Sequence, residues 1–343
     1  MSQLNFDGRV AIVTGAGRGL GRAYALLLAS RGAKVVVNDT GASLNGNGSD
    51  GGLAEEVARE IRAAGGEAIG CAESVATAPG AQAIVATATD RYGKIDILIH
   101  NAGIVRGASL KEMTQKDFDA VLDVHLGGGF RIVRRVFPLM CAARYGRIVM
   151  TASVNGLYGN LRQANYSAAK GGLIGLSHVA ALEGAAEGVK SNVVLPGAVT
   201  RMAEGLDTSA YPPMPPELVA PLVGWLSHET CSVSGEILSS MAGRVARAFV
   251  AESPGVYRPH WSMEQIAEQM TAIRSTDAPL VFSVVPSGQL DHIRHSFKMA
   301  RELTLHRIFC EPIARSVSAA SRSRNRPRAS VIDPGGPPDD VPV

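Results

Sequence analysis

Aromatic side chains are scarce, at 5% of 343 residues, whereas glycine occurs 38 times. That balance suits close packing of helices on a sheet better than an aromatic-rich β-sandwich. Cysteine is rarer still. Cys71, Cys141, Cys231 and Cys310 lie far apart and form no CxxC pair, which argues against a disulfide framework or a cysteine metal site and for a reducing, cytoplasmic setting. No segment has the roughly 18 to 20 consecutive apolar residues of a membrane span, and no basic start leads into an apolar run at the N-terminus, so neither insertion nor export is expected. Histidine, carboxylates and cysteine nowhere adopt metal-ligand spacing. Net charge is only +3. Its one concentration, the group Arg315, Arg322, Arg324, Arg326 and Arg328, lacks interleaved aromatics and reads as a solvated tail and not as a nucleic-acid surface.

With 46% hydrophobic residues, the chain can bury one large α/β domain with an appendage, or two domains. Arg9–Val13 is a short apolar run that stops at Thr14-Gly-Ala-Gly-Arg-Gly-Leu-Gly21, and Leu20–Ser30 then has helical spacing. Strand, glycine turn and helix form the context of a phosphate-cradling loop. Gly15 allows the tight turn, Gly19 lets backbone amides of Arg18 to Leu20 approach a pyrophosphate, and Gly21 lets the helix pack closely. A second strand, Lys34–Asp39, ends in a carboxylate that can accept both ribose hydroxyls of an adenosine and repels a 2′-phosphate, which predicts NAD over NADP. The alternative is a solvated aspartate starting a turn. The glycine-, asparagine- and serine-rich stretch 40–52 reads as a mobile loop beside the adenosine.

Helix 53–64, strand Glu67–Cys71, helix 80–92 and strand Ile95–Ile99 continue the alternation, with Ser74 and Val75 along the adenine edge. Asn101, Ala102 and Gly103 follow at a strand end. The regular alternation predicts a doubly wound parallel sheet, Rossmann-like, whose ligand crevice lies outside the carboxyl ends of the strands. A long helix over 114–140 contains His125, read either as support for a lysine or as a core histidine, and three glycines, Gly127 to Gly129, placed where the backbone is tightly packed.

Strand Arg147–Met150 delivers Ser153 to the same edge. In the following helix, 164–181, Tyr166 and Lys170 are four residues apart and share a face. A phenol titrating near 10 is a weak base at neutral pH, and a nearby ammonium favours its phenolate. Strand Lys190–Leu195 then leads into Pro196, Gly197, Val199 and Thr200, whose backbone can meet a carboxamide.

Together, the glycine turn, Asn101-Ala-Gly103, Ser153, Tyr166-Ser-Ala-Ala-Lys170 and Pro196-Gly197 resemble the short-chain dehydrogenase/reductase family over roughly residues 5–245. Val36-Val-Asn-Asp39 with its long polar loop, Val124-His-Leu126, Tyr158-Gly-Asn160 and Gln163–Lys170 are similar to the 3-hydroxyacyl-CoA dehydrogenase domains of peroxisomal multifunctional enzymes of type 2, and bacterial relatives act on hydroxysteroids. The resemblance implies that Tyr166 is the base, that Ser153 bonds the substrate oxygen, and that Lys170 holds Tyr166 and the nicotinamide ribose, with Asn101 and His125 shaping the path behind. It also implies an acyl-CoA or steroid substrate and a homodimer or homotetramer. Two departures stand out: His100 replaces an asparagine, and His125 stands where many members carry asparagine. The other readings are a 17-hydroxysteroid dehydrogenase, a 3-oxoacyl-carrier-protein reductase, disfavoured by Asp39, and a non-catalytic NAD-binding protein.

The catalytic domain is expected over 1–248. The proline-rich segment Gly205–Pro216 reads as a substrate-side lid, 217–227 as a helix, and 231–238 as the last strand, with the sheet closing near Gly243. An auxiliary extension over 249–312 should hold a helix at 261–274, a strand at 280–285 and a helix at 292–308. A disordered tail is expected over 313–343.

Overall fold

The computed structural model describes residues 3–201 and 210–301. Eight strands form one sheet in the order β3-β2-β1-β4-β5-β6-β7-β8. They are β1 (Val10–Thr14), β2 (Lys34–Asn38), β3 (Glu67–Cys71), β4 (Ile97–His100), β5 (Gly146–Thr151), β6 (Val189–Gly197), β7 (Ile237–Met241) and β8 (Arg244–Ala248). All neighbours are parallel except β7 and β8. The chain moves outward from β1 to β3 and restarts on the other side at β4, so the topological switch lies between β1 and β4, where a crevice opens. This is the doubly wound architecture expected from the alternation of motifs.

The central strands β1, β4 and β5 are buried on both faces, which is why they read as continuous apolar runs. Helices α1 (Gly19–Ser30), α2 (Gly52–Ala63) and α8 (Ala220–Ser227) cover one face around Tyr24, Leu28, Val57 and Leu226. Helices α3 (Ala78–Tyr92), α5 (Gly128–Ala142) and α7 (Ala164–Gly184) cover the other around Ile84, Ile132, Met140 and Leu173. Two short helices, α4 (Gln115–Leu122) and α6 (Asn155–Tyr158), and a later one, α9 (Met263–Ile273), complete the set. Local signals set several boundaries: Thr77 accepts from Gly80 N at the start of α3, Gly93 ends it in the left-handed region, and Thr114 caps α4.

Four expectations are corrected. The long helix over 114–140 is interrupted by a π-helical turn, Asp123–Gly127, between α4 and α5. The glycines there are packed tightly: an ideal Cβ on Gly128 would lie 2.8 Å from Val75 Cγ2, and one on Gly129 2.9 Å from Leu173 Cδ2. The strand expected at 231–238 is β7, displaced towards Met241. The sheet does not close near Gly243, because Ala242 (φ 49) and Gly243 (φ 81) make a two-residue turn of the kind that twists with a hairpin and adds β8 antiparallel. No strand forms over 280–285; Leu280 makes an isolated bridge with Glu252.

Residues up to Ala251 with Val281–Gln289 form one compact unit. Glu252–Leu280 with the described residues from Leu290 form the other, which holds α9, opened by a Ser262–Gln265 capping box, and a helix over 290–301. Residues 205–209 of the lid reading, 302–308 of the last expected helix and the 313–343 tail lie outside the described residues.

The first crossover depends on one glycine. An ideal Cβ at Gly21 would stand 2.1 Å from the Gly15 carbonyl oxygen, a backbone atom that cannot swing aside. Gly21→Ala should therefore lower unfolding stability by roughly 1–3 kcal/mol, the usual range for overpacking. Urea denaturation checks this, and an unchanged midpoint would refute the packing role.

Candidate active site

The glycine turn connects β1 to α1. Gly15 has φ +64 and Gly19 φ +53, both left-handed, and an ideal Cβ on Gly15 would meet Ala102 Cα at 2.7 Å. The turn therefore lies directly against the segment that follows β4. Asp39, just beyond β2, accepts from Gly17 N (2.9 Å) through Oδ2 and from Gly41 N (2.7 Å) through Oδ1. Its neighbour Asn38 is buried and donates to the carbonyls of Cys71 and Glu73, which brings Ser74 and Val75 to the same edge.

After β4, one hydroxyl organises the backbone. Thr14 Oγ1 accepts from the amides of Asn101 (3.0 Å) and Ala102 (3.1 Å), and Asn101 Nδ2 donates to the Gly15 carbonyl (3.0 Å). Because Thr14 Oγ1 already accepts twice, its own proton goes to His100 Nδ1 at 3.2 Å. His100 Nε2 must then carry the ring proton, which it donates to the His125 carbonyl at 2.8 Å. Burial holds His100 down to about 4, so its ring is neutral at pH 7.

His125 lies in the π-helical turn, a feature frequent near functional sites. Its Nε2 meets the backbone of Ile104, its ring stands edge-on to Tyr166 with centroids 5.2 Å apart, and its buried Nδ1 has no protein partner. Burial, reinforced by the Lys170 charge, pushes its pKa well below the ordinary value.

Lys170 reaches up from α7 and donates from Nζ to the Thr151 carbonyl at 2.6 Å, and its nitrogen is 5.5 Å from the Tyr166 ring centroid. Ser153 sits between β5 and α6, where its Oγ accepts from Asn155 N at 3.2 Å. The expected lowering of the Tyr166 phenol is not what the protein alone produces. Burial raises it, with the Ser153 hydroxyl acting in the opposite sense, and burial lowers Lys170 to about 7. Both groups lie where water is scarce, and loss of hydration disfavours the charged form of each.

A cavity of about 980 Å³ joins these parts. It is lined by Gly15, Arg18, Gly19, Leu20, Asp39, Ser74, Val75, Asn101, Ala102, Gly103, Ser153, Tyr166, Lys170, Pro196, Gly197, Val199 and Thr200, all singled out in the sequence. Gly21 and His125 do not line it: Gly21 serves the packing of α1, and His125 lies beneath Tyr166. Sequence reasoning missed Ile104, Val124 and Met241, which add apolar surface to the cavity, whereas Tyr211 and Met214, which also line it, fall in the segment read as a substrate-side lid. A turn that a Cβ would fill at one side of Asp39, and the paired amides that hold its carboxylate, fit a dinucleotide.

Comparison with known proteins agrees with this geometry. A family model described as short chain dehydrogenase matches residues 9–209. Peroxisomal multifunctional enzyme type 2 of Drosophila melanogaster is 48% identical over 259 residues, 75% of this chain and 43% of that protein. Peroxisomal hydratase-dehydrogenase-epimerase of Saccharomyces cerevisiae is 46% identical over 241 residues, 70% of this chain and 27% of that one. The chain thus spans less than half the length of these two relatives. The crystal structure of a short chain dehydrogenase from Mycobacterium avium superposes with a TM-score of 0.68 at 38% identity, covering 78% of this chain and 94% of that one.

Lys170 has a measurable consequence for stability. Folded, it loses its proton near 7; unfolded, it keeps it to the ordinary 10.5. Between those values the unfolded chain binds more protons, so this group makes stability rise with pH across the window and fall as pH drops towards 7. Lys170→Met removes the titration. At pH 7 that variant should be the more stable by roughly 2–4 kcal/mol, allowing for the orphaned Thr151 carbonyl, and the gap should close towards pH 10. Paired urea titrations at the two pH values test this; a gap independent of pH would contradict it.

Proposed function

The chain belongs to the short-chain dehydrogenase family, and from that premise we propose that it is an NAD-dependent dehydrogenase oxidising the secondary alcohol of a 3-hydroxyacyl-CoA to the 3-oxo product. One observation carries the proposal. A single cavity has the Asp39 carboxylate at one end and Ser153, Tyr166 and Lys170 at the other. The acyl-CoA substrate is favoured by the similarity to a peroxisomal multifunctional enzyme type 2 and to a protein named peroxisomal hydratase-dehydrogenase-epimerase.

In this reading the amides of Gly15 to Leu20 hold a diphosphate, Asp39 the adenosine ribose, and Ser74 and Val75 flank the adenine. Pro196 to Thr200 and Asn101 to Gly103 border the nicotinamide. When bound, NAD supplies the acceptor for the hydride that leaves the carbinol carbon. The remaining work belongs to side chains. Ser153 hydrogen-bonds the substrate oxygen and fixes its distance from Tyr166, whose phenolate takes the hydroxyl proton. The Lys170 ammonium and the positive charge of the oxidised cofactor favour that phenolate against the burial that raises the phenol. Met214, Tyr211 and Met241 form an apolar wall suited to an acyl chain.

Exposed Phe130 and Leu139 on α5 and Val179 on α7 favour pairing of chains through these helices into a homodimer or homotetramer. Among the described residues no helix is long and apolar enough to cross a membrane. Cys71, Cys141 and Cys231 are free thiols, in keeping with a cytoplasmic setting.

A screen for NADH production over 3-hydroxyacyl-CoA thioesters and 17-hydroxysteroids tests the substrate. Turnover of the thioesters is expected, with NAD preferred to NADP by at least about tenfold because of Asp39; preference for the steroids, or equal use of NADP, overturns the respective assignment. Tyr166→Phe should lower kcat by roughly a thousandfold or more while NAD still binds, since the proton acceptor is gone and the cavity is not. Near-normal turnover in that variant would remove Tyr166 from the chemistry.

A further inference from the structure

Two polar residues outside the roles above, Arg106 and Asn165, connect the two ends of the cavity. The loop between β2 and α2 crosses the adenosine side, where Ala42, Ser43, Gly46 and Ser49 line the cavity. Three neighbours hold it by its backbone. Val105 N donates to the Leu44 carbonyl (2.9 Å), Arg106 Nε to the Asn45 carbonyl (2.8 Å) and Arg201 Nη1 to the Ala42 carbonyl (3.0 Å). The crossing is close: at Gly46 an ideal Cβ would lie 3.0 Å from Ile104 Cδ1.

Arg106 carries this contact inward by two routes. Its Nη1 donates to Asp117 Oδ1 at 3.1 Å, and its carbonyl accepts from Asn165 Nδ2 at 2.9 Å. Asn165 is fully buried, donates also to the Asp117 carbonyl at 3.1 Å, and through Oδ1 accepts from the amide of Tyr166 at 2.7 Å. Asp117 is itself fixed by the Thr114 hydroxyl at the start of α4. An unbroken run of hydrogen bonds therefore leads from the loop, through Arg106 and Asn165, to the backbone of the residue proposed as the base. The planar guanidinium makes this feasible, because Nε and Nη1 reach two partners in fixed directions; an ammonium on a flexible stem has no such fork.

We propose that Arg106 and Asn165 are positioning residues that couple the seating of the 40–50 loop over the adenosine half of the cavity to the placement of Tyr166, so that occupancy of one end orders the other. The inference rests on the dinucleotide reading given above. If Arg106 were an ordinary surface ion pair with Asp117, its loss would change little and would not alter how a ligand at one end affects the other.

Amide hydrogen exchange of the full chain, with and without ADP, separates the cases, because ADP carries the adenosine and diphosphate but no nicotinamide. In the unsubstituted protein, saturating ADP should slow exchange both in the 40–50 loop and at 163–168, including the Tyr166 amide, by about fivefold or more at the latter. In Arg106→Gln, ADP should still slow the loop but leave 163–168 within about twofold of its free rate, and kcat at saturating NAD should fall about tenfold through misplacement of Tyr166. Arg106→Lys should resemble Arg106→Gln. If Arg106→Gln does not fold, Asp117→Asn, which removes the charged inner partner at nearly constant volume, should show the same selective loss. An undiminished response at 163–168 in these variants, or none in the unsubstituted protein when its loop does respond, overturns the coupling and leaves the dehydrogenase reading intact. Failure of both ADP and NAD to bind the unsubstituted protein overturns both.

Discussion

The Thr14 hydroxyl is the point from which the cavity is measured. It takes the amides of Asn101 and Ala102 and gives its proton to His100, whose other nitrogen grips the carbonyl of His125. The ends of β1 and β4 and the π-helical turn are thereby held at fixed separations, and Tyr166 rests edge-on against the His125 ring. Without this hydroxyl two amides beside the glycine turn would lose their acceptor, at about 1–3 kcal/mol for each group left buried and unpaired. The packing tolerates no slack either, since Gly15 lies against Ala102 with no room for a side chain. A His100 that accepts at Nδ1 and donates at Nε2 can span this gap only while neutral, and burial keeps it so.

The same scarcity of water sets the character of the reacting end. Lys170, His100 and His125 are almost fully buried, and each has its charged form disfavoured by burial. With both imidazoles held neutral, Lys170 is the one of these three whose charge changes near neutral pH, which makes it the natural source of a field that can be turned on. Asp39 lies at the far end of the cavity lining. Its carboxylate accepts from the amides of Gly17 and Gly41, so it is oriented before anything binds.

Much of this was readable in the order of residues, for a physical reason. A strand buried on both faces must be a run of β-branched and aliphatic residues, so β1, β2 and β5 announced themselves, and Gly15, Gly19 and Gly21 could not be replaced by anything bulkier. Tyr166 and Lys170 were visible because their chemistry depends on side-chain type and helical spacing. The π-helical turn was not, since one widened turn has no periodicity of its own and is stabilised by partners such as His100 that only the fold supplies. Likewise β8 was hidden by Gly243, a residue that ends elements as often as it turns hairpins; the exposed Arg244, Val245 and Arg247 are those of an edge strand.

The loop over the adenosine side shows the deeper limit. Its glycine, asparagine and serine content suggests a segment that samples many conformations, and nothing in its side chains contradicts that. It is held instead through its carbonyls, at Ala42, Leu44 and Asn45, by donors drawn from two other loops of the sheet edge. Backbone acceptors are the same in every residue, so a sequence carries no mark where they are used. The only trace lies with the donors, and an arginine among many arginines is not conspicuous until the fold brings it to its partner. Residues whose type performs chemistry are legible in such a chain, whereas those that transmit position through main-chain atoms become legible only once strand order and register have brought distant loops together.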